Sequence, residues 1–338
     1  MTRVCTSALR FTIVAALVMA AGFVPLAGQR GGPAAPSALR GWSARVPGGE
    51  PDFEGEWTTE GEYGVPMERP AQYGTRAFLT DEEYAQRVKD VDARDARDLA
   101  RVDVLSGRVD GPNAPIPHWR EYHTNSRRTS LIIDPPDGRY PARVPGARRW
   151  PVPQRCGTLA GGEPCDTYED YGLGVRCLAH GEGVPDAMYP AVYNANLRII
   201  QSPGVVAITY ELIHDTRIIP IDPPRARDPL TSTIRSYMGA SRGHWDGATL
   251  VIETAHLKTA PRGSSGGLRL TERFTRTGRD TMAYQVTYTD PATWTMPWTA
   301  ALDLRSRPRE AGVFEYACHE GNYGLTHMLS MSRLFDRK

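Results

Sequence analysis

Residues 196–222 read NLRIIQSPGVVAITYELIHDTRIIPID, three runs of β-branched and aromatic residues parted by turn residues. Such residues suit a pleated, half-buried surface, and the runs 196–202, 205–214 and 216–222 read as strands, with His214-Asp215-Thr216 as a hairpin tip. The same texture continues in 249–254, 268–275, 281–289, 299–305, 313–317 and 328–333, with turn signals at Asp246-Gly247 and Gly278-Arg279-Asp280. Strands at this spacing, not alternating with amphipathic helices, exclude a doubly wound α/β fold. They predict a mainly β protein: an antiparallel β-barrel or strongly curved sheet over 191–338, with an N-terminal helix and Pro-rich loops wrapped around it.

Upstream, the chain begins with a basic Met-Thr-Arg-Val, runs uncharged and apolar from Phe11 to Ala27, and breaks at Gln29-Arg30-Gly31-Gly32-Pro33. A basic start, a short apolar stretch and small residues describe a secretory signal peptide over 1–28, not a spanning helix, which wants about 20 apolar residues. Gln29 stands where a lipoprotein signal would need its cysteine. The expected product is periplasmic or extracellular, with no membrane span after signal cleavage. Residues 29–50 form a Gly/Pro/Ala/Arg-rich leader, and 51–190 a helix- and loop-rich region packed on the barrel. In that region Thr80-Asp81-Glu82-Glu83 is a capping box ahead of apolar residues at helical spacing up to Asp103. With 40 basic and 39 acidic residues the formal net charge is +1, so no global field points to nucleic acid. Gly55-x-Trp57 matches the G-x-W that opens the first strand of lipocalin-type barrels, where the tryptophan plugs one end; Gly243-His244-Trp245 repeats it.

Once Cys5 leaves with the signal, Cys156, Cys165, Cys177 and Cys318 remain, an even number suited to an oxidising compartment. Four cysteines allow three pairings. The expected one joins Cys156 to Cys165 around Gly161-Gly162, and Cys177 to Cys318. Irregular spacing without a C-x-x-C pair argues against zinc.

The chemistry concentrates at Phe314-Glu315-Tyr316-Ala317-Cys318-His319-Glu320-Gly321-Asn322-Tyr323-Gly324. His319 is the candidate general acid or base, since imidazole titrates near neutrality with least perturbation, and Glu320 would orient it. In the competing reading Glu320 and Asn322 cap backbone amides and His319 bonds a carbonyl. Glu211 and His214 form a second acid–imidazole pair. On an ideal strand they face opposite sides, so they share a site only where the strand bulges or ends. Convergence of Glu211, His214, His319 and Glu320 would offer ligands for a divalent metal; no metal or other cofactor is assigned. Arg217 is placed to hold an anionic or carbonyl oxygen. Tyr284, Tyr288, Trp298, Tyr316, Asn322 and Tyr323 are the expected lining for a small-molecule ligand or substrate. Gly239-Ala240-Ser241-Arg242-Gly243 carries the letters of a G-x-S-x-G elbow, but a strand follows where that motif needs a helix.

At 217–222, 238–251, Glu272-Arg273-Phe274-Thr275-Arg276 and Tyr316-Ala317-Cys318-His319-Glu320-Gly321-Asn322-Tyr323 the chain resembles a family of uncharacterised secreted bacterial proteins. The likeness spans about Asp52 to Arg333. That family usually carries an acidic residue where Ala240 stands and a basic one where His244 stands. The resemblance implies export and a shared scaffold, and supplies no reaction. Two functions remain: a secreted lyase, isomerase, cyclase or hydrolase using His/Glu acid–base chemistry in an aromatic-lined pocket, or a lipocalin-like carrier of an apolar molecule.

Overall fold

The computed structural model of the 338-residue chain describes residues 44–100, 102–103, 108–109, 126–147, 167–181, 183–184, 186–191, 193–259 and 261–335. The segment 1–28 expected to be a signal peptide, most of the expected leader 29–50, and Cys156 and Cys165 lie outside the described residues. The strands are β1 (Gly55–Thr58), β2 (Val102–Asp103), β3 (Arg108–Val109), β4 (Ile132–Asp134), β5 (Asn196–Ser202), β6 (Val205–Tyr210), β7 (Thr216–Pro220), β8 (Ala240–Asp246), β9 (Thr249–Ala255), β10 (Arg269–Gly278), β11 (Thr281–Thr289) and β12 (Trp298–Arg307). Two α-helices are present among the described residues, α1 (Asp81–Ala100) and α2 (Tyr323–Phe335).

Apart from the small β2–β3 pair, the strands form one antiparallel sheet in the order β7-β6-β5-β1-β12-β11-β10-β9-β8, with β4 added on β12. Two meanders, β5–β7 and β8–β12, are joined by β1. Its Trp57 lies opposite Leu197 on one side and Ser306 on the other. The sheet curves far enough that its two outer strands meet: Ile221, just past β7, forms a parallel bridge with Gly243 of β8, and the Asp222 amide donates to the Gly243 carbonyl at 2.8 Å. That single bridge is no ladder, so the sheet is strongly curved without closing as a barrel. Gly243 permits the approach, because a Cβ there would stand 2.7 Å from Ile221 Cδ1 and 3.3 Å from Ile219 Cγ2.

Alternation decides what fills the concave side. Val206, Ile208 and Tyr210 of β6, Leu270 and Phe274 of β10, and Met282, Tyr284, Val286 and Tyr288 of β11 are all buried in one core. Trp57 is buried in the same core: its Nε1 donates to the Phe53 carbonyl at 3.1 Å and the Arg276 guanidinium lies over its ring, 4.9 Å from the centroid. At the start of α1 the Thr80 amide donates to Glu83 and the Glu83 amide to Thr80 Oγ1, the reciprocal bonds of a capping box.

Two expected strands take other forms. Residues 313–317 are an extended strap whose main chain is held by side chains, not by a ladder. Residues 328–333 lie inside α2. Met328-Leu329-Ser330-Met331-Ser332-Arg333 holds no β-branched residue, so nothing intrinsic favours a strand, and Asn322 Oδ1 accepts the Leu325 amide as a helix N-cap does. Conversely, β8 forms where no strand was expected.

Candidate functional site

Glu272 interrupts the inward row of β10 between Leu270 and Phe274, which puts a carboxylate inside the curved sheet, fully shielded from solvent. Arg217 of β7 meets it from across the seam. Its guanidinium forks onto Glu272, Nη1 donating to Oε1 at 3.0 Å and Nη2 to Oε2 at 2.7 Å. Nη1 also reaches Tyr210 Oη at 3.1 Å, and Nη2 reaches Ser241 Oγ at 3.1 Å and Thr254 Oγ1 at 3.0 Å. Tyr284 Oη donates to Glu272 Oε1 at 3.0 Å. Arg217 Nε is buried without a hydrogen-bond partner among the described residues.

Burial alone would lower the Arg217 pKa; the charge of Glu272 and then Tyr210 outweigh it, and the guanidinium is held charged. Burial pushes the Tyr210 hydroxyl up to about 12, and burial together with Glu272 pushes Tyr284 well above its ordinary value. Both tyrosines stay protonated and act as donors or neutral acceptors.

Where β7 and β8 part, a cleft of about 370 Å³ opens beside this network. Its walls include Asp215, Thr216, Arg217 and Ile218 on one side and Ser236, Tyr237, Gly239 and Ser241 on the other. Burial raises the Asp215 carboxyl above its ordinary value. Ser241 points inward from β8 onto Arg217, so the G-x-S-x-G letters fall on a strand, not on a strained turn.

The candidates read from the sequence divide into three places. Glu211 and His214 reach the same strap, because β6 ends at Tyr210 and 211–214 form a tight turn with Ile213 at φ 68° and His214 at φ 51°. Both bind the strap. Glu211 is buried; it accepts the Phe314 amide on Oε1 at 3.1 Å, and Oε2 accepts from Asn196 Nδ2. His214 Nδ1 bonds the Tyr316 carbonyl at 2.9 Å. The disulfide Cys177–Cys318, with Cα atoms 5.6 Å apart, fixes the next turn of the strap. Asn322 Nδ2 donates to the Val175 carbonyl at 3.3 Å. His319 and Glu320 lie exposed on this turn. Glu320, Tyr316 and Asn322 border an open depression that does not include His319. Tyr316 faces Tyr193 in parallel, centroids 6.5 Å apart, and Tyr323 is 71% exposed.

Arg217 and Tyr284 belong to the interior network, away from that turn. Tyr288 and Trp298 stack in the core with centroids 3.8 Å apart, and Tyr288 Oη bonds Tyr189 Oη at 3.0 Å. Tyr284, Tyr288 and Trp298 each expose 1% or less, so none lines an open wall. Among the described residues no group of three or more His, Cys, Asp or Glu is arranged to hold a metal ion.

Sequence reasoning missed Glu272 and Thr254 as site residues, and set Ser241 aside with the G-x-S-x-G letters. The available signal was a carboxylate breaking the apolar alternation Leu270-x-Glu272-x-Phe274, on the face that otherwise fills a core. No family model, curated protein or solved structure matches the chain.

Proposed function

We propose that the chain is an exported small-molecule-binding protein whose ligand enters the cleft between β7 and β8 and meets the Arg217–Glu272 network. The observation that carries this reading is the buried ion pair itself. A paired charge in an apolar interior contributes little net stability, since apolar residues of similar volume often serve as well or better. Its cost is explained if Arg217 and the Ser241 hydroxyl, both in the cleft wall, are held ready for a ligand oxygen, and ionisable groups beside a cleft are where such roles concentrate. Glu272 already neutralises Arg217, so the cleft favours a neutral hydroxyl- or carbonyl-bearing molecule over an anion. Export fits the Cys177–Cys318 disulfide. No helix among the described residues is long and apolar enough to cross a membrane.

The test is a ligand-observed NMR screen of neutral sugars, polyols and lactones, repeated on Ile218→Trp. Ile218 is 62% exposed on the cleft wall, so the larger ring fills the cleft without touching the core. Binding that survives Ile218→Trp unchanged removes the proposal. A second reading keeps acid–base catalysis at the strap, favoured by Glu320, Tyr316 and Asn322 bordering one depression. Turnover of an ester or lactone that persists in His319→Ala would discard the role of that histidine.

A further inference from the structure

Beyond the Ile221–Gly243 bridge, at the opposite end of the seam, lies a second cleft of about 320 Å³. Its floor is apolar, made by Val206, Ile221 and the ring of Trp245, and Trp245 is braced edge-to-face by Phe53 at 5.3 Å. The outer wall is the turn 46–50, closed by the Val46 amide on the Glu50 carbonyl at 3.0 Å and the Gly49 amide on the Val46 carbonyl at 2.8 Å. The ionisable groups in the lining are Glu50 and Glu54, both acidic. Glu54 Oε1 accepts the Gln201 amide at 3.2 Å. The Glu50 carboxylate has no hydrogen-bond or ion-pair partner among the described residues. It folds back over Gly48 so closely that a Cβ there would stand 2.2 Å from Oε2. Arg45, on the same turn, is engaged with the main chain, donating to the Gly49 carbonyl at 2.6 Å.

We infer that this cleft binds a small organic cation, an ammonium on a compact apolar body. An aromatic face attracts a cation through its quadrupole, apolar surface takes the alkyl groups, and two carboxylates at the rim supply the counter-charge. A neutral apolar ligand would use only the floor, and an anion would face two like charges. The site is separate from the β7–β8 cleft described above and does not depend on it.

Isothermal titration with choline and with its uncharged isostere 3,3-dimethylbutanol tests the assignment on the whole exported chain. The expected result is choline binding at least about tenfold tighter than the isostere, with the difference shrinking as salt is raised. Glu50→Gln and Trp245→Leu should each weaken choline at least about tenfold. Gly48→Ala, which displaces only the end of a flexible side chain, should do the same while the circular dichroism spectrum stays unchanged. Equal affinity for choline and isostere, no choline heat at tens of millimolar, or full affinity in Glu50→Gln would each overturn the inference.

Discussion

Removing the Cys177–Cys318 disulfide in a Cys177→Ala/Cys318→Ala variant perturbs the one covalent tie described between the middle of the chain and the strap. The bond spans 141 residues. Loop-closure entropy for a ring of that size gives about 5 kcal/mol of stabilisation, through restriction of the unfolded chain. That figure is reached only if the strap docks and undocks together with the sheet. In the variant the strap keeps its other ties: the Glu211 carboxylate on the Phe314 amide, worth about 1.5–3 kcal/mol as a bond to a charged group, and His214 on the Tyr316 carbonyl, worth about 0.5–1.5 kcal/mol. If those ties are weaker than the sheet, the strap peels first, and the measured global loss falls toward the strap's own docking energy of about 2–4.5 kcal/mol. Guanidinium unfolding of both proteins gives the loss, and amide hydrogen exchange over 313–322 tells the two cases apart. A loss under about 1 kcal/mol, with exchange in the strap unchanged, would refute the account of the strap as a disulfide-held element.

Arg217→Met leaves the Glu272 carboxylate buried without its partner and should cost about 3–5 kcal/mol, whereas Arg217→Met/Glu272→Met should regain most of it; equal losses in thermal unfolding would contradict the buried pair. Gly243→Val drives a side chain into Ile221 and Ile219 at the seam and should cost about 1–3 kcal/mol, read from denaturant midpoints, with the Asp222 amide losing its exchange protection. At the start of α1, Arg76 and then the Thr80 amide hold the Glu83 carboxyl at about 2 against an ordinary 4.5. Because its folded value is depressed, the stabilising contribution is complete above pH 4.5 and fades as pH falls toward about 2. NMR of the α1 amides should show that fraying, and Glu83→Gln should remove its pH dependence.

Strands were legible wherever β-branched alternation ran uninterrupted, as in 196–202 and 281–289, because burial of one face imposes a period of two. The same rule hid β8: Gly243 carries no side chain to register the alternation, although its bareness is what lets β7 approach. The aromatic alternation of Phe314-Glu315-Tyr316 looked like a strand, yet its amide and carbonyl go to Glu211 and His214, partners about a hundred residues away in sequence that no local pattern names. The expected Cys177–Cys318 bond is present, although parity alone left three pairings open. Arg217 was singled out as a functional cation and lies in a buried network, but its partner was not, because the meeting of Arg217 with Glu272 is created by the curvature that brings β7 and β10 across the same interior. Tyr284, Tyr288 and Trp298 were assigned to a ligand wall and stand in the core, where large rings fill the space a strongly bent sheet leaves.

Strand β1 gives the molecule an unusual order of assembly. Four residues near the beginning of the chain sit between two meanders, and their partners lie about 140 and 250 residues downstream. The β5–β7 meander can take β1 on its inner edge as soon as it is made, but the other edge of β1 stays open until β12 is in place. Pairings of such long range form slowly and leave sheet edges open to other chains in the meantime. The keystone is made first and waits longest, so the sheet is completed only after nearly the whole chain has been synthesised.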